Sequence, residues 1–237
     1  MRLVVAHLYP AEMNIYGDTG NVLALRRRLE WRGLDVEVRR IGVGDPGSFG
    51  AADIVVAGGG EDRSQLLVAD DLQERAADVG AAVDDGVVFL TVCGTYQLFG
   101  RRFVTHTGDE IPGIGVFAAE TIGGGTRMIG NVVVKSPWGR LVGFENHSGR
   151  TYLDEGQAAL GTVVQGEGNN DTTPEEGAVV ANCFGTYLHG SVLPKNPALA
   201  DELLRRALER RGAARELQAL DDEMERAAAD SAARRPR

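Results

Sequence analysis

Only two cysteines, Cys93 and Cys183, occur in the 237 residues. A disulfide framework is thereby excluded beyond the one pair they could form, and a reducing compartment is expected. No Cys/His spacing makes a zinc pattern, so no metal site is expected in this chain. No apolar run approaches the roughly 20 residues of a membrane span. The opening "MRLVVAHLYP" turns apolar only briefly before Pro10 and has no cleavage pattern of a secretory leader, so a cytoplasmic protein without direct membrane insertion is expected. Net charge is −9, with no Lys/Arg-dense run outside the helical C-terminal region; nucleic acid is not an expected partner. Neither G-x-G-x-x-G nor G-x-x-x-x-G-K-[ST] occurs, which removes dinucleotide and P-loop nucleotide binding. There is no internal repeat and no Pro- or Ser-rich linker, and 43% hydrophobic residues suffice for one large α/β core.

Strand and helix patterns alternate through the first hundred residues. "RLVVAHLY" reads as a strand, the loop "PAEMNIYGDTGN" follows, and "VLALRRRLEWRG" has helical apolar spacing with a stop at Gly33. "LDVEVRRIG" and "ADIVVAGGG" read as strands, "QLLVADDLQERAADVGAAVDDG" as a helix, and "VVFLTVC" as a strand. This order predicts an α/β fold with a mostly parallel sheet covered on both faces. From about Phe103, short strands with Gly-rich turns predict an antiparallel section in the C-terminal half. "GAVVANCFGTYLHG" reads as one apolar strand and a loop, and "PALADELLRRALERRG" as an amphipathic helix. Residues 213–237, without an aromatic residue, read as a helical or disordered tail to a domain spanning 1–212.

The chemistry centres on "VVFLTVCGTYQLFG". Cys93 stands where a strand meets a helix, at the carboxyl edge where open parallel sheets bind ligands. A helix N-terminus there favours the thiolate over a free thiol of pKa about 8.5, and the Gly94 N–H can face a developing oxyanion. Buried packing is the commoner fate of a lone strand cysteine. Against it stand the strand end Gly58-Gly59-Gly60, able to offer backbone N–H groups, and His189 in "FGTYLHGS" beyond another strand. A cysteine and a distant histidine form a candidate dyad. His147 in "FENHSGR" is a second candidate base, His7 and His106 are weaker ones, and Cys183 reads as core.

"CGTYQLFG", the upstream "GGG", "FENHSGRT" and "FGTYLHG" together resemble the glutamine amidotransferase domains of cobyric acid synthase and cobyrinate diamide synthase type, a branch of the triad-type glutaminases with a cysteine nucleophile. The likeness spans about residues 1–212, and "MNIYGDTGN" with the stand-alone length brings it nearer to the small glutaminase subunits of lipid II isoglutaminyl synthases. It implies a three-layer, flavodoxin-like sandwich of the class I amidotransferase kind that hydrolyses L-glutamine to glutamate and ammonia. Cys93 would be the nucleophile and His189 the base and acid, with Gly59 and Gly94 as oxyanion-hole amides and Arg127, Gln97 and His147 at the substrate. It also implies a Mur-ligase-like (MurT-like) partner that holds ATP and Mg and amidates the D-glutamate of lipid II, so that the pair works as a heterodimer in peptidoglycan precursor synthesis. The glutaminase half of a corrinoid amidase, or a non-catalytic protein of the same fold, are the alternatives. One departure stands out: position 191, two residues after the histidine, is serine where many relatives carry glutamate.

Overall fold

The computed structural model describes residues 1–213 and 216–235. Strand β1 (Arg2–Leu8) leads through a long loop to helix α1 (Thr19–Glu30) and strand β2 (Asp35–Ile41). Strand β3 (Ile54–Ala57), helices α2 (Asp62–Glu74) and α3 (Ala76–Asp84), strand β4 (Val88–Val92) and the short helix α4 (Gly94–Phe99) follow. The helical stretch read as one piece is two, parted at Arg75. Arg75 pairs with Asp71 one turn back in α2 and also donates to the Asp45 carbonyl at 2.8 Å, which ties the junction to the loop after β2.

Strands β5 (Arg102–Val104), β6 (Glu110–Pro112), β7 (Ala119–Ser136), β8 (Gly139–Leu153), β9 (Gly161–Gln165) and β10 (Glu175–Glu176) make a second sheet. It is antiparallel except for the β5/β7 pair. The chain then returns to the first sheet as β11 (Ala178–Val180) and β12 (Cys183–Thr186). The apolar run expected as a single strand is thus a tight hairpin, turning at Ala181 with φ 47°. Helices α5 (Val192–Lys195), α6 (Pro197–Arg210) and α7 (Glu223–Ala233) complete the chain. Of the tail, residues 214–215 and 236–237 lie outside the described residues; α7 lies on α5, β7 and β8.

The first sheet runs β11-β12-β4-β3-β1-β2 and is parallel apart from β11. From β1 the chain moves outward to β2, whereas from β3 it moves the opposite way to β4. Right-handed crossovers therefore put α1 and α2 on opposite faces. Helices α1 and α6 pack together on one face, and α2 packs on α4 on the other. Strands β3 and β4 are buried along their whole length, as expected of central parallel strands covered twice. The order reverses between β1 and β3, and the loops after β1, β3, β4 and β12 gather at that carboxyl edge, where ligands enter folds of this kind. No helix among the described residues is long and apolar enough to cross a membrane.

Candidate active site

Cys93 follows β4 directly and caps α4 with φ 52° and ψ −107°, a conformation that costs an L-residue on the order of 1–3 kcal/mol. Sequence alone left open whether this bend is strained, because no glycine stands two residues before the cysteine. Four hydrogen-bonding contacts hold the strain. The Cys93 N–H donates to the Thr186 carbonyl at 2.8 Å, the Gln97 N–H donates to the Cys93 carbonyl at 3.0 Å, and the Thr95 hydroxyl reaches the Ala57 and Gly58 carbonyls at 2.9 Å. The bend at Cys93 is therefore knotted to β3 and β12 at once. Cys93 and Cys183 are not joined in a disulfide, and burial pushes the Cys183 thiol up to about 12, which suits core packing.

His189 leaves the end of β12 and pairs by backbone with Phe144 of β8, donating to its carbonyl at 2.8 Å. It is fully buried. Its ring lies 4.3 Å from the Tyr16 ring, and neither ring nitrogen has a hydrogen-bond partner among the described residues. Burial first, then His147 and Arg127, lower its pKa to about 3, so the imidazole is a neutral base at physiological pH. Gly59 sits between the two: a Cβ added there would stand 3.0 Å from both Cys93 Cβ and His189 Cε1.

The Gly59 amide was expected to be an open oxyanion donor, and here the structure corrects the sequence. Its N–H donates to Asp18 Oδ2 at 2.9 Å, so the donor is already engaged. The next residue, Gly60, lines the cleft, and its N–H has no acceptor among the described residues. The Gly94 N–H belongs to the first turn of α4, where amides have no partner within the helix. Asp18 itself is fully buried; burial raises its pKa to about 6 against the opposing Gly59 N–H bond.

Asp18 belongs to "MNIYGDTGN", a stretch for which sequence reasoning found no chemical role. Its contacts explain it. Met13 abuts the positions where Gly58, Gly60 and Gly94 would carry a Cβ, and the Ile15 N–H donates to the Gly59 carbonyl at 3.1 Å. Ser191 Oγ donates to the Gly17 carbonyl at 2.6 Å, and the Leu193 N–H to Asn21 Oδ1 at 2.9 Å. One loop thus grips the glycine strand end and the segment after His189. A polar, Gly-containing loop between a strand and a helix was the only available signal.

Cys93, Gln97, Arg127 and His147 all line one cleft of about 380 Å³, together with Glu61 and Asn146. Arg127 projects from the segment where the β7/β8 register slips, between Gly123 and Met128. Its guanidinium is aimed by Asn146, through Nε to Oδ1 at 2.9 Å and Nη2 to the carbonyl at 2.9 Å. His147 is buried, stacked 3.5 Å from Tyr187 with the rings 5° apart, and its Nδ1 lies 2.7 Å from the Gly149 carbonyl. Nδ1 must therefore carry the proton, which leaves Nε2 as an acceptor; burial lowers this pKa to about 4. Gln97 is spoken for on both sides, because Gln65 Nε2 donates to its Oε1 at 2.6 Å and its own Nε2 donates to Tyr187 Oη at 3.0 Å. His7 is buried on β1, and His106 lies in the β5/β6 loop; neither lines the cleft. Among the described residues no group of three His, Cys, Asp or Glu is arranged to hold a metal.

The cleft thus presents a thiol, the imidazole of His147, Gly60 and a guanidinium, while His189 and Gly94 stand outside its lining and His189 meets Cys93 at Gly59; these are the kinds of group that acyl transfer from a compact, charged amide would use. The family model of the CobB/CobQ-like glutamine amidotransferase domain matches residues 4–197. The GatD subunit of lipid II isoglutaminyl synthase (glutamine-hydrolyzing) from Staphylococcus aureus (strain N315) is 41% identical over 224 residues, 94% of this chain and 91% of that protein. The GatD subunit from Streptococcus pneumoniae (strain ATCC BAA-255 / R6) is 38% identical, over 89% of this chain and 82% of that one. Among solved structures, the glutaminase domain of Trypanosoma brucei CTPS matches with a TM-score of 0.57 at 12% identity, covering 90% of this chain and 95% of that domain, a likeness of fold.

Proposed function

The chain belongs to the CobB/CobQ-like glutamine amidotransferase family, and we propose that it hydrolyses L-glutamine and hands the ammonia to an ATP-dependent, MurT-like Mur ligase subunit that amidates the D-glutamate of lipid II to D-isoglutamine. The observation that carries the hydrolytic half is the convergence of Cys93 and His189 on Gly59, with each held by β12 or the residues that follow it. The acceptor half is supported by the names of the two bacterial relatives, both subunits of lipid II isoglutaminyl synthase.

In this reading Arg127 takes the substrate α-carboxylate through its guanidinium fork, and His147 Nε2 accepts from a substrate N–H. Cys93 Sγ attacks the side-chain amide carbon as His189 takes the thiol proton. The oxygen that becomes negative meets the Gly94 and Gly60 amides, each such donor being worth roughly 10²–10³ in rate. His189 then returns the proton to nitrogen, the C–N bond breaks, and ammonia leaves. Water attacks the glutamyl thioester with His189 again accepting a proton; the C–S bond breaks and the thiolate regains its proton as glutamate departs. ATP and Mg belong to the partner, which activates the acceptor carboxylate.

The test is ammonia release from glutamine by the purified chain, alone and with the ligase partner, with Cys93→Ala as control. Turnover lost in the variant supports the reading. Its absence from folded wild-type complex refutes it.

A further inference from the structure

Behind the two reacting side chains lies a carboxylate that neither the motifs nor the proposed mechanism uses. Glu176, at the end of β10, is completely buried. Its Oε1 accepts from the Thr186 hydroxyl and from the Tyr187 N–H at 2.8 Å. The Thr186 hydroxyl in turn accepts from the Leu188 N–H at 3.0 Å. The donors of three successive residues, 186 to 188, are thus gathered on one carboxylate oxygen, directly or through one hydroxyl.

That short segment is the bridge between the dyad members. Its first residue offers the carbonyl that takes the Cys93 N–H at 2.8 Å, and its last precedes His189, whose N–H goes to Phe144. Its middle residue, Tyr187, stacks on His147, shares a hydroxyl–hydroxyl bond with Thr151 Oγ1 (2.7 Å) and accepts from Gln97 Nε2 (3.0 Å). The approach is close on the backbone side as well: Gly177 has φ +65°, and a Cβ there would stand 2.3 Å from the Gly185 carbonyl oxygen. We propose that Glu176 is a positioning residue of the glutaminase site, setting the 186–188 segment so that the strained Cys93 backbone and the His189 ring keep their mutual geometry.

What Glu176 supplies to the segment is an acceptor oxygen. Glu145 on β8 and Tyr96 on α4 lie near it, and burial raises its pKa to about 7. A glutamine at this position keeps an oxygen for Thr186 and Tyr187. An alanine leaves both donors buried without a partner, the more costly loss.

This inference rests on the glutaminase reading, and the experiment separates the two. Wild type, Glu176→Ala, Glu176→Gln and Thr186→Val are compared for kcat and KM on glutamine with the partner present, for melting temperature, and for the rate of Cys93 alkylation by iodoacetamide. Alkylation needs no glutaminase turnover, so a wild type that alkylates but does not hydrolyse glutamine refutes the function while still testing Glu176. We expect Glu176→Ala to lower kcat about 10- to 100-fold, the order that small misplacements cost, with KM little changed and alkylation slowed. Glu176→Gln should restore most of both rates, and Thr186→Val should fall between. If alanine leaves the chain insoluble, the valine variant carries the test. Folded Ala or Val variants with wild-type kcat and alkylation rate, or a glutamine variant as impaired as alanine, would overturn the proposal.

Discussion

At Cys93 a backbone that disfavours any L-residue is held by neighbours rather than by a glycine of its own, and Gly59 faces its side chain. The room there is already spent. Gly59→Ala would bring a methyl 3.0 Å from both Cys93 Cβ and His189 Cε1, so the two functional side chains must move apart by a few tenths of an ångström. We expect kcat to fall about 100-fold while the melting temperature changes by only a few degrees; unchanged turnover would mean that Gly59 does not set their spacing. The imidazoles give a second check. Burial holds His7 and His147 at about 4 and His189 at about 3, so their ring resonances in NMR titrations should stay in the neutral form down to about pH 5. A midpoint near 6.5 for His189 would contradict its burial.

Helix α1 is fastened by its own arginines. Arg28 forms a bidentate pair with Asp201 of α6 at 2.7 and 2.8 Å and reaches Asp222, just before α7, at 2.6 Å. One buried guanidinium therefore joins three separate stretches of chain. Arg28→Ala leaves Asp201 to Arg32 alone, at 2.7 Å, and takes the Arg28 pair from partly buried Asp222; a loss on the order of 2 kcal/mol corresponds to a fall in melting temperature of roughly 4–8 °C. Glutamine turnover at 25 °C should be little changed, because Arg28 is remote from the cleft lining. Such elements also mark how far sequence could be read. Strand–helix alternation through Val92, the α6 boundaries and the bend at Cys93 were legible because each is a local pattern. The β11/β12 turn was not, since Ala181 sits inside a continuous apolar run and its φ of 47° leaves no compositional trace. The grip of residues 13–21 on Gly59 and on the chain after His189 was equally hidden, because its contacts join segments more than forty residues apart. The engaged Gly59 amide was misread for that reason: the residue that occupies it, Asp18, comes from that loop.

Across the molecule, buried ionisable groups pull its stability in opposite directions as pH changes. Below pH 6.5 the unfolded chain takes protons on His7, His147 and His189 that the folded chain refuses until about pH 4 or lower, so their contribution declines on acidification. Asp18 and Glu176 do the reverse. Raised to about 6 and about 7, they bind protons in the folded state before the unfolded chain does, and stability gains from them as pH falls from about 7 toward 4. Glu176→Gln removes one of these compensating groups. Its unfolding free energy, from urea titrations at pH 7 and pH 5, should therefore drop more steeply on acidification than that of wild type. An equal or shallower drop would mean that Glu176 titrates normally.

The Thr186 carbonyl that receives the Cys93 N–H has one more implication, and it concerns incomplete chains. β12 is the strand that flanks β4 on one side, and it is also the strand that delivers His189. A message cut short between residues 128 and 182 would encode the thiol, the glycine strand end and Arg127, yet lack β12. Such a fragment loses the sheet partner of β4 and His189 in the same stroke, so an incomplete chain would expose the unpaired edge of a central strand to quality control rather than persist with Cys93 alone.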